Sequence, residues 1–366
     1  MHADLNFVCL LPLFIHLSAG QHQIHVTPNY KWTEATTEFT KRAQNWSATI
    51  KQFIEGVQRR KQLSMYDIQA VYSRCAGPKH LDATIFEDNP FIIPQSTYCS
   101  ERPQLKLLIV VHSHPANHHR RDLVRSTWGS LRRVGPEKIG VLFFLGSSEK
   151  TQKAVNEEAE TYRDIVQRNF TEDYHNMTHK HLTIMEWLSM GHCASLQYIV
   201  KVDDDTFVDV FHLVRFLRSD RLKTSPGFYC SATKGAKPTR PKKGVPETKW
   251  VITKEEFDKD VFPVYCEGLG YIVEARVAPF LYLCSMFTQT IWIDDVYVTG
   301  ILAEKLGISR QAFLPGHAYD RAGPSKQSGE LLDNIFLTSY HSEFIPETFR
   351  RLWHSAVAMS MDLGSK

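Results

Sequence analysis

The sequence predicts an α/β fold built around a mixed, mostly parallel sheet flanked by helices. Between residues 106 and 217, short apolar runs typical of buried strands alternate with segments whose apolar residues recur at helical spacing. One run, residues 196–202 (LQYIVKV), leads directly into the acidic triplet Asp203-Asp204-Asp205. Open α/β sheets bind ligands at the carboxyl ends of their strands, so the triplet marks the expected functional edge.

The elements of this pattern follow one another in a regular order. The predicted elements are a strand at 106–111 (KLLIVV), a helix at 117–131, a strand at 139–145, a helix at 148–162, a strand at 165–166, a helix at 179–193 and the strand at 196–202. Apolar residues at 210, 211, 214 and 217 then predict a further helix. Since prolines at 90, 94 and 103 mark a loop before the first strand, we place the main domain at residues 105–366.

Two interpretations of the N-terminal segment stay open. Residues 5–19 form an apolar stretch, which suits either the core of a signal peptide or a short signal anchor within residues 1–20. Small residues at 18–20 favour cleavage, whereas the absence of Lys or Arg before the stretch weakens both interpretations. Both place the rest of the chain in the lumen of the secretory pathway.

Residues 21–104 are expected to form either a stem or a packed helical appendage. The first part, up to about residue 64, is polar and rich in Thr, Lys and Gln, which is typical of a stem. Trp32, Phe39, Trp46 and Phe53, however, recur every seven residues, as on one face of a helix. The sequence supports both interpretations equally.

Several features suit a glycosylating and oxidising compartment. Three glycosylation sequons begin at Asn45, Asn169 and Asn176. Apart from Cys9 the chain has six cysteines, an even number that predicts three disulfides, with Cys75 and Cys99 as the first expected pair. The net charge of +3 is small and the basic residues form no continuous stripe, so nucleic-acid binding is not expected.

Two groups of side chains suggest a site for a cation and a nucleotide. Like charges crowded at a strand end repel each other, so the acidic triplet suits a bound cation; a solvated turn or a helix cap is the alternative. In the helix at 117–131, Arg121, Arg125 and Trp128 share one face that could meet a phosphate or a base. An arginine-lined surface with a packed Trp is the alternative there.

Further sequence blocks occur in an order typical of one enzyme family. The blocks are 120–129 (RRDLVRSTWG), 164–187, 201–208 (KVDDDTFV), 249–271, 294–297 (DDVY) and the closing residues His341, Pro346 and Trp353. Over residues 106–353 the chain therefore resembles the beta-1,3-glycosyltransferase family, which implies a GT-A-like fold and an inverting transfer from a nucleotide sugar. Three residues depart from the family pattern: Asp294 stands where many members carry Glu, Asn169 where Asp is usual, and Glu267 where a small residue is common.

This resemblance gives the acidic triplet a role in holding the donor. It implies Asp205 as a direct metal ligand, Asp203 near the ribose or uracil, and Asp204 as a supporting charge. His341 is the implied second metal ligand. Manganese is the usual cation of the family, and magnesium is chemically compatible. A hard divalent cation held by oxygens offsets the charge of a leaving diphosphate.

Four further residues are expected at the donor: Arg121, Arg125, Gly268 and Gly270. The two glycines would permit close approach of the backbone to a sugar, although a simple turn would look the same. Expected acceptor or sugar contacts are Trp250, Tyr265, Glu267 and Tyr271. The aromatic members offer flat apolar faces to sugar rings, although core packing explains any one of them as well.

Inversion requires a carboxylate that removes a proton from the acceptor hydroxyl. We expect Asp295 to be this base, with Asp294 as its neighbour on the same turn. Two acids that open a helix are also what a plain N-terminal cap would show. The catalytic interpretation is favoured because Val296 and Tyr297 follow and the other blocks occur in order.

The sequence therefore predicts a metal-dependent inverting glycosyltransferase. It would move a hexose or N-acetylhexosamine, with galactose favoured, from a UDP-sugar to a hydroxyl of a glycoprotein or glycolipid glycan in β-1,3 linkage. The expected location is the Golgi lumen, either as a type II protein held at the Golgi membrane or as a protein secreted after signal cleavage. The alternatives are a catalytically silent member that binds glycans or assists an enzyme, and a calcium-binding lectin or adhesion domain.

Overall fold

A computed structural model describes residues 46–77, 90–219, 227–242, 249–313 and 346–364, with the short stretches 15–16, 25–26, 39, 42–44, 319–320 and 337–339. Within the N-terminal apolar stretch, only β1 (Ile15–His16) is described, and it pairs with β2 (His25–Val26). Apart from these two residues, the expected signal peptide or anchor at 1–20 lies outside the described residues. Among the helices that the structure describes, none is long and apolar enough to cross a bilayer.

A mixed sheet of nine strands forms the centre of the fold. Its strands are β3 (Phe91–Ile93), β4 (Leu105–His112), β5 (Arg133–Val134), β6 (Glu137–Ser147), β7 (Ile165–Thr171), β8 (Tyr198–Asp203), β10 (Gly227–Thr233), β11 (Tyr265–Glu274) and β12 (Ser309–Ala312). Their order is β12-β10-β11-β8-β4-β6-β7-β3, and β5 pairs with β6. The four central strands β8, β4, β6 and β7 are parallel. A separate sheet contains β9 (Thr206–Val208), β13 (Tyr319–Asp320) and β14 (Leu337–Ser339).

Helices cover both faces of the large sheet. They are α1 (Ala48–Arg59), α2 (Met65–Cys75), α3 (His118–Ser126), α4 (Gln152–Tyr162), α5 (Met177–Ser189), α6 (Val210–Arg218), α7 (Ala278–Ser285), α8 (Ala303–Leu306) and α9 (Pro346–Gly364). Side chains of β4 alternate between two cores, as expected of a strand buried on both faces. Leu108 and Val110 join α1, α2, α5 and α7, whereas Ile109 and Val111 join α3, α4, α6 and α9. The predicted α/β architecture is confirmed.

Several element boundaries differ from the predicted ones by a few residues, and two of these differences have clear local reasons. The predicted helix at 117–131 is shorter, because Thr127 leaves the helical conformation and Trp128–Ser130 forms a 3₁₀ turn. Strand β7 is longer than the predicted 165–166 because its polar residues Gln167 and Arg168 are buried and paired. Gln167, for example, donates its side-chain amide to the backbone oxygen of Gly146 at 2.9 Å.

The segment before the sheet contains packed helices. Ser47 caps α1 by accepting a hydrogen bond from the backbone N–H of Ile50, so the helix begins after Trp46. The seven-residue aromatic spacing therefore does not run along one continuous helix, although Phe39, Trp46 and Phe53 all pack in the same core. Trp32 lies outside the described residues. Residues 48–75 thus match the helical appendage more closely than a stem, while the limits 1–20, 21–104 and 105–366 stay predictions.

The six cysteines form three disulfides, as predicted, but the first expected pair is wrong. Cys75 pairs with Cys284, Cys99 with Cys193, and Cys230 with Cys266. The reason for the error is tertiary packing: Cys75 ends α2, which lies against α7, and α7 carries Cys284. This bond ties the N-terminal helices to the main sheet domain.

The sequons differ in accessibility. Asn169 is exposed on β7, which suits a glycosylation site. Asn176 is half-buried and donates its side-chain amide to the backbone oxygen of Thr171 at 2.9 Å. The hydroxyl of Thr178 in the same sequon is buried and bonded to the backbone oxygen of Ile291. Asn45 lies outside the described residues.

Candidate active site

The acidic triplet lies at the carboxyl end of the central parallel strands. Asp203 ends β8 and pairs in register with His112, the last residue of β4. Asp204 and Asp205 form the turn before β9. This is the edge at which open α/β sheets bind ligands. The strand pattern thus brings three carboxylates to the position that the sequence predicted.

Asp204 is held by the loop and helix that follow β4. One of its carboxylate oxygens accepts hydrogen bonds from the Ser113 hydroxyl at 2.7 Å and the Asn117 amide at 2.9 Å. The other accepts one from the Arg120 guanidinium at 3.0 Å. The side chain is 6% exposed. The protein therefore already engages both carboxylate oxygens of Asp204, which is compatible with a supporting role.

Asp203 is connected across the sheet through a buried lysine. The Nζ atom of Lys201 lies 2.7 Å from Oδ1 of Asp203 and donates to the backbone oxygen of Gly268 at 2.6 Å. Burial alone would lower the pKa of Lys201, but the charges of Asp203 and Asp294 outweigh it and raise that pKa. Lys201 therefore stays charged, and it links the triplet to β11 and to the second acidic pair.

Asp205 offers the chemistry of a metal ligand. Its carboxylate lies 3.4 Å from the Arg120 guanidinium, and its side chain is 9% exposed. Hard divalent cations prefer oxygen ligands, so the carboxylates of Asp203 and Asp205 fit such an ion chemically. In the part of the chain that the structure describes, no three His, Cys, Asp or Glu side chains form a metal-binding group. His341, the expected second ligand, lies outside the described residues.

The second acidic group is the pair Asp294 and Asp295, which precedes a π-helix beside Gly268. Asp295 caps the π-helix Val296–Leu302, and its Oδ1 accepts a hydrogen bond from the backbone N–H of Val296 at 2.7 Å. Helices of this kind are rare and often occur at functional sites. A side chain at Gly268 would place its Cβ 3.4 Å from Oδ2 of Asp295. A glycine at this position therefore leaves space next to the carboxylate.

The pKa values of the two neighbouring carboxylates are shifted in opposite directions. Burial and the charge of Asp294 raise the pKa of Asp295 to about 7. Burial alone would also raise the pKa of Asp294, but the hydrogen bond from His181 and the charge of Lys201 lower it. Asp294 is therefore ionised at neutral pH, while Asp295 exchanges a proton near pH 7. A group of this kind is suited to general base catalysis.

A buried histidine joins Asp294 to Tyr271. His181 on α5 has its Nδ1 2.9 Å from Oδ2 of Asp294 and its Nε2 2.5 Å from the hydroxyl oxygen of Tyr271. The Tyr271 ring stacks on the His181 ring with a centroid distance of 5.6 Å. Tyr271 is only 1% exposed, so it supports Asp294 from inside the fold, and the expected sugar contact at this residue is corrected.

The two arginines expected at the donor are structural instead. Arg121 is fully buried and makes five hydrogen bonds, to both carboxylate oxygens of Glu158 and to three oxygens of the loop at 113–115. Arg125 donates hydrogen bonds from Nε and Nη2 to the two carboxylate oxygens of Asp164. Its guanidinium also packs over the ring of Tyr162, 3.9 Å from the ring centroid. Because these guanidinium groups are engaged with the protein, we correct the expected donor contacts to a role in fixing α3 and its loop.

Gly270 is likewise a packing residue. A Cβ at this position would lie 3.0 Å from Cδ1 of Leu337 and 3.1 Å from the backbone oxygen of Lys201. The close approach of β11 to β8 therefore requires glycine here. Of the two expected glycines, only Gly268 borders the acidic pair.

A group of exposed and half-buried aromatic side chains lies beside the acids. We call Tyr174, Trp250 and Trp292 the aromatic wall. Tyr174 lies 5.6 Å from Trp250 and 5.9 Å from Trp292, measured between ring centroids, and the Lys249 ammonium lies over Tyr174 and Trp250. Trp250 is 50% exposed and Tyr174 is 37% exposed. Burial and the charges of Asp294, Asp295 and Asp203 raise the pKa of Tyr174, so the wall borders both acidic groups.

Two other expected contacts are half-buried. Tyr265 packs at 6.2 Å from the ring of Phe262, at the start of β11. Glu267 accepts a hydrogen bond from the hydroxyl of Thr233 at 3.0 Å. Both residues precede Gly268 in the sequence, and their contacts with a sugar stay predictions.

Sequence reasoning missed several residues of this site. Lys201 could have been noticed, because a charged residue inside a buried strand requires a partner. Trp292 lies three residues before Asp295, which was a weaker signal. Arg120 lies in the block at 120–129 and His181 in the block at 164–187, but neither residue was assigned a role, since only the fold brings them to the acids.

Comparisons with known proteins identify related glycosyltransferases. A galactosyltransferase family model matches residues 119–313. Beta-1,3-galactosyltransferase 1 of Mus musculus is 27% identical over 268 residues, which cover 72% of this chain and 77% of that protein. Beta-1,3-galactosyltransferase 5 of Mus musculus is 32% identical over 248 residues, covering 63% of this chain and 78% of that protein. The solved structure of mouse xyloside xylosyltransferase 1 is 10% identical, with a TM-score of 0.32, over 66% of this chain and 99% of that one.

Proposed function

This chain belongs to the galactosyltransferase family of beta-1,3-glycosyltransferases, and from that premise we propose that it transfers galactose from UDP-galactose to a glycan hydroxyl with inversion. The relatives named above support galactose as the sugar and β-1,3 as the linkage. We further propose that the reaction takes place in the Golgi lumen. The disulfides suit the oxidising secretory pathway, and the exposed Asn169 suits glycosylation there.

The observation that carries this proposal is the acidic pair. Asp295 has a pKa of about 7 and lies beside Asp294, whose pKa is lowered. A base of this strength can hold a proton at neutral pH and release it afterwards. The same pair argues against the catalytically silent alternative, because two neighbouring, largely desolvated carboxylates repel each other, and a general base accounts for this costly arrangement.

The reaction would proceed in one displacement. The acceptor oxygen attacks the anomeric carbon, Asp295 accepts the proton of that hydroxyl, and the bond between the anomeric carbon and the UDP oxygen breaks on the opposite face. The leaving UDP carries away the bonding electrons. Gly268 leaves space beside Asp295 for the acceptor hydroxyl, and Asp294 stays ionised and keeps the proton affinity of Asp295 high.

Asp205 would hold the divalent cation of the donor, with His341 as a further ligand, and Asp203 would lie near the ribose or uracil. Manganese is the proposed ion, and when bound it would offset the negative charge that develops on the diphosphate. Lys201 donates a hydrogen bond to Asp203, and the Arg120 guanidinium pairs with Asp204 and lies near Asp205. The protein therefore orients the carboxylates before a donor arrives, which avoids a reorganisation cost during the reaction.

The aromatic wall would bind the acceptor. Tyr174, Trp250 and Trp292 present apolar ring faces next to the acids, and the C–H face of a pyranose packs well on such surfaces. An acceptor sugar stacked there would lie close to Asp295. We therefore propose that Trp250 contacts the acceptor together with two residues, Tyr174 and Trp292, that sequence reasoning did not assign.

A donor and acceptor screen tests the proposal. The purified full chain is incubated with Mn²⁺ and, separately, UDP-galactose, UDP-N-acetylglucosamine and UDP-N-acetylgalactosamine on an array of glycan acceptors. We expect product only with UDP-galactose, and NMR of that product should show a β-1,3 linkage. Asp295→Asn serves as the matched inactive control. Transfer from none of the donors, despite intact folding, would overturn the proposed function.

A further inference from the structure

His181 lies outside every residue to which the sequence motifs assign a role. It sits in the middle of α5 and is 1% exposed, with one ring nitrogen against Asp294 and the other against Tyr271. A buried histidine with both nitrogens bonded is fixed in one orientation and one protonation state. The question is which state it adopts and what that does for the acids.

The surroundings favour a neutral ring with its proton on Nδ1. Burial lowers the pKa of His181, so the imidazole is uncharged at neutral pH. An ionised carboxylate only accepts hydrogen bonds, so Nδ1 must carry the proton that is donated to Asp294. Nε2 then accepts the hydroxyl proton of Tyr271, whose pKa is raised well above its ordinary value by burial. The direction of each hydrogen bond is thereby set.

Other charged and titratable groups pack around the same point. Lys201 approaches from β8, and His112 at the end of β4 meets the His181 ring edge-on at a centroid distance of 5.4 Å. Burial and the nearby charge of Lys201 hold the pKa of His112 well below its ordinary value, so His112 adds no second cation. Asp294 is therefore supported by one hydrogen-bonded neutral imidazole and one more distant ammonium.

We propose that His181 is a positioning residue: together with Tyr271 it holds the Asp294 carboxylate ionised and in one orientation beside Asp295. This inference rests on the proposed function, because it assigns His181 a role only through the base. His181 itself does not touch the substrate. Replacing a residue that is hydrogen-bonded to a metal ligand typically changes activity by about tenfold to a hundredfold, and we expect the same range for a residue hydrogen-bonded to Asp294.

Three variants at position 181 test the proposal. His181→Phe keeps a ring but gives Asp294 no hydrogen-bond donor. The amide nitrogen of Asn can take the place of Nδ1, whereas that of Gln reaches only the place of Nε2. We expect kcat to fall about tenfold to a hundredfold in His181→Phe and His181→Gln, and only a few-fold in His181→Asn. The KM for UDP-galactose should stay within about twofold in all three, since no donor contact is lost.

A double variant separates positioning from packing. If His181 acts through Asp294, then His181→Phe combined with Asp294→Asn should be no slower than Asp294→Asn alone. Additive losses would overturn the proposal, because they would mean that His181 acts elsewhere. Equal losses in the Asn and Gln variants would overturn it as well, since filling the buried space would then be the only role of the side chain.

Matched controls make the outcome decisive. His179, two residues earlier on α5, is half-buried beside Phe170 and faces away from the acids, so His179→Phe should keep the wild-type kcat. Tyr271→Phe keeps the stacked ring and removes only the hydroxyl, and we expect a few-fold lower kcat. If His181→Phe fails to fold, the Asn variant and Tyr271→Phe decide. Wild-type protein that transfers no sugar would instead refute the proposed function, independently of His181.

Discussion

The Nζ atom of Lys201 lies 2.6 Å from the backbone oxygen of Gly268, in the neighbouring strand β11. The same ammonium contacts Asp203 at 2.7 Å and is 2% exposed. One buried cation thus connects the strand that carries the acidic triplet to the strand that borders Asp295. This contact makes a single site of two motifs that lie far apart in the sequence.

Removing this ammonium should destabilise the fold. In Lys201→Met the carboxylate of Asp203 loses the ammonium that lies 2.7 Å away, and removing one partner of a buried pair typically costs about 3–5 kcal/mol. We therefore expect the free energy of unfolding in urea to fall by that amount at pH 7. Lys254→Met is the control, because Lys254 pairs with the exposed Asp260 and should change the unfolding midpoint little. Equal midpoints for the two variants would contradict the assignment.

Loss of the proposed metal ligand should separate nucleotide binding from folding. Asp205→Ala removes a buried carboxylate whose partner Arg120 keeps its contact with Asp204, so we expect the thermal midpoint to stay close to that of the wild type. In calorimetry with UDP and Mn²⁺, the affinity should fall at least about tenfold, because the diphosphate charge is then poorly offset. Asp258→Ala, an exposed acid on a loop, should bind UDP normally. Unchanged affinity in Asp205→Ala would show that this residue is not a ligand.

Changes in the aromatic wall should weaken binding of the acceptor and leave binding of the donor unchanged. Trp292→Ala removes one stacking face, and contacts of this kind are worth about 0.5–1.5 kcal/mol, or roughly a threefold to tenfold change in affinity. We expect the KM for the acceptor to rise by that factor while the KM for UDP-galactose is unchanged. Tyr162 is 44% exposed at the far end of the parallel strands, so Tyr162→Ala should leave both constants unaltered. A raised donor KM in Trp292→Ala would assign the wall to the donor instead.

The sequence predicted the fold well because its signals are local. Strand and helix periods depend on neighbouring residues, and the apolar run before Asp203 could be recognised without knowing its partners. The acidic pair was predicted from a contiguous motif for the same reason. Arg121, by contrast, was assigned to the donor because its motif is contiguous, whereas its partner Glu158 lies 37 residues away.

Contacts over long sequence distances could not be predicted in this way. His181 and Asp294 are 113 residues apart, and nothing in their local sequence links them. The same holds for Cys75 and Cys284, which are 209 residues apart and meet only because α2 packs on α7. Sequence spacing favoured the nearer Cys99, since loop closure is the only physical guide available before the fold is known.

The two acids of the pair should respond differently to amide substitution. Asp295→Asn keeps the shape of the side chain but cannot take the proton, so kcat should fall about a hundredfold or more. Asp294→Asn removes only a neighbouring charge, and it should retain measurable turnover. Both variants should bind UDP and Mn²⁺ as the wild type does. If Asp294→Asn were inactive and Asp295→Asn near the wild type, the two roles would have to be exchanged.

The pH dependence of the reaction should report Asp295 directly. Only ionised Asp295 can accept a proton, and burial together with the charge of Asp294 raises its pKa to about 7. The value of kcat/KM reflects the free enzyme, so it should be level above about pH 7.5 and fall about tenfold per pH unit below about pH 6.5. Asp294→Asn removes the negative charge that contributes to this shift, so its acid limb should lie at lower pH. Asp173→Asn, an exposed acid at a turn, is the control and should keep the wild-type profile. An acid limb that stays in place, or moves to higher pH, in Asp294→Asn would show that the base which titrates near pH 7 is not the neighbour of Asp294.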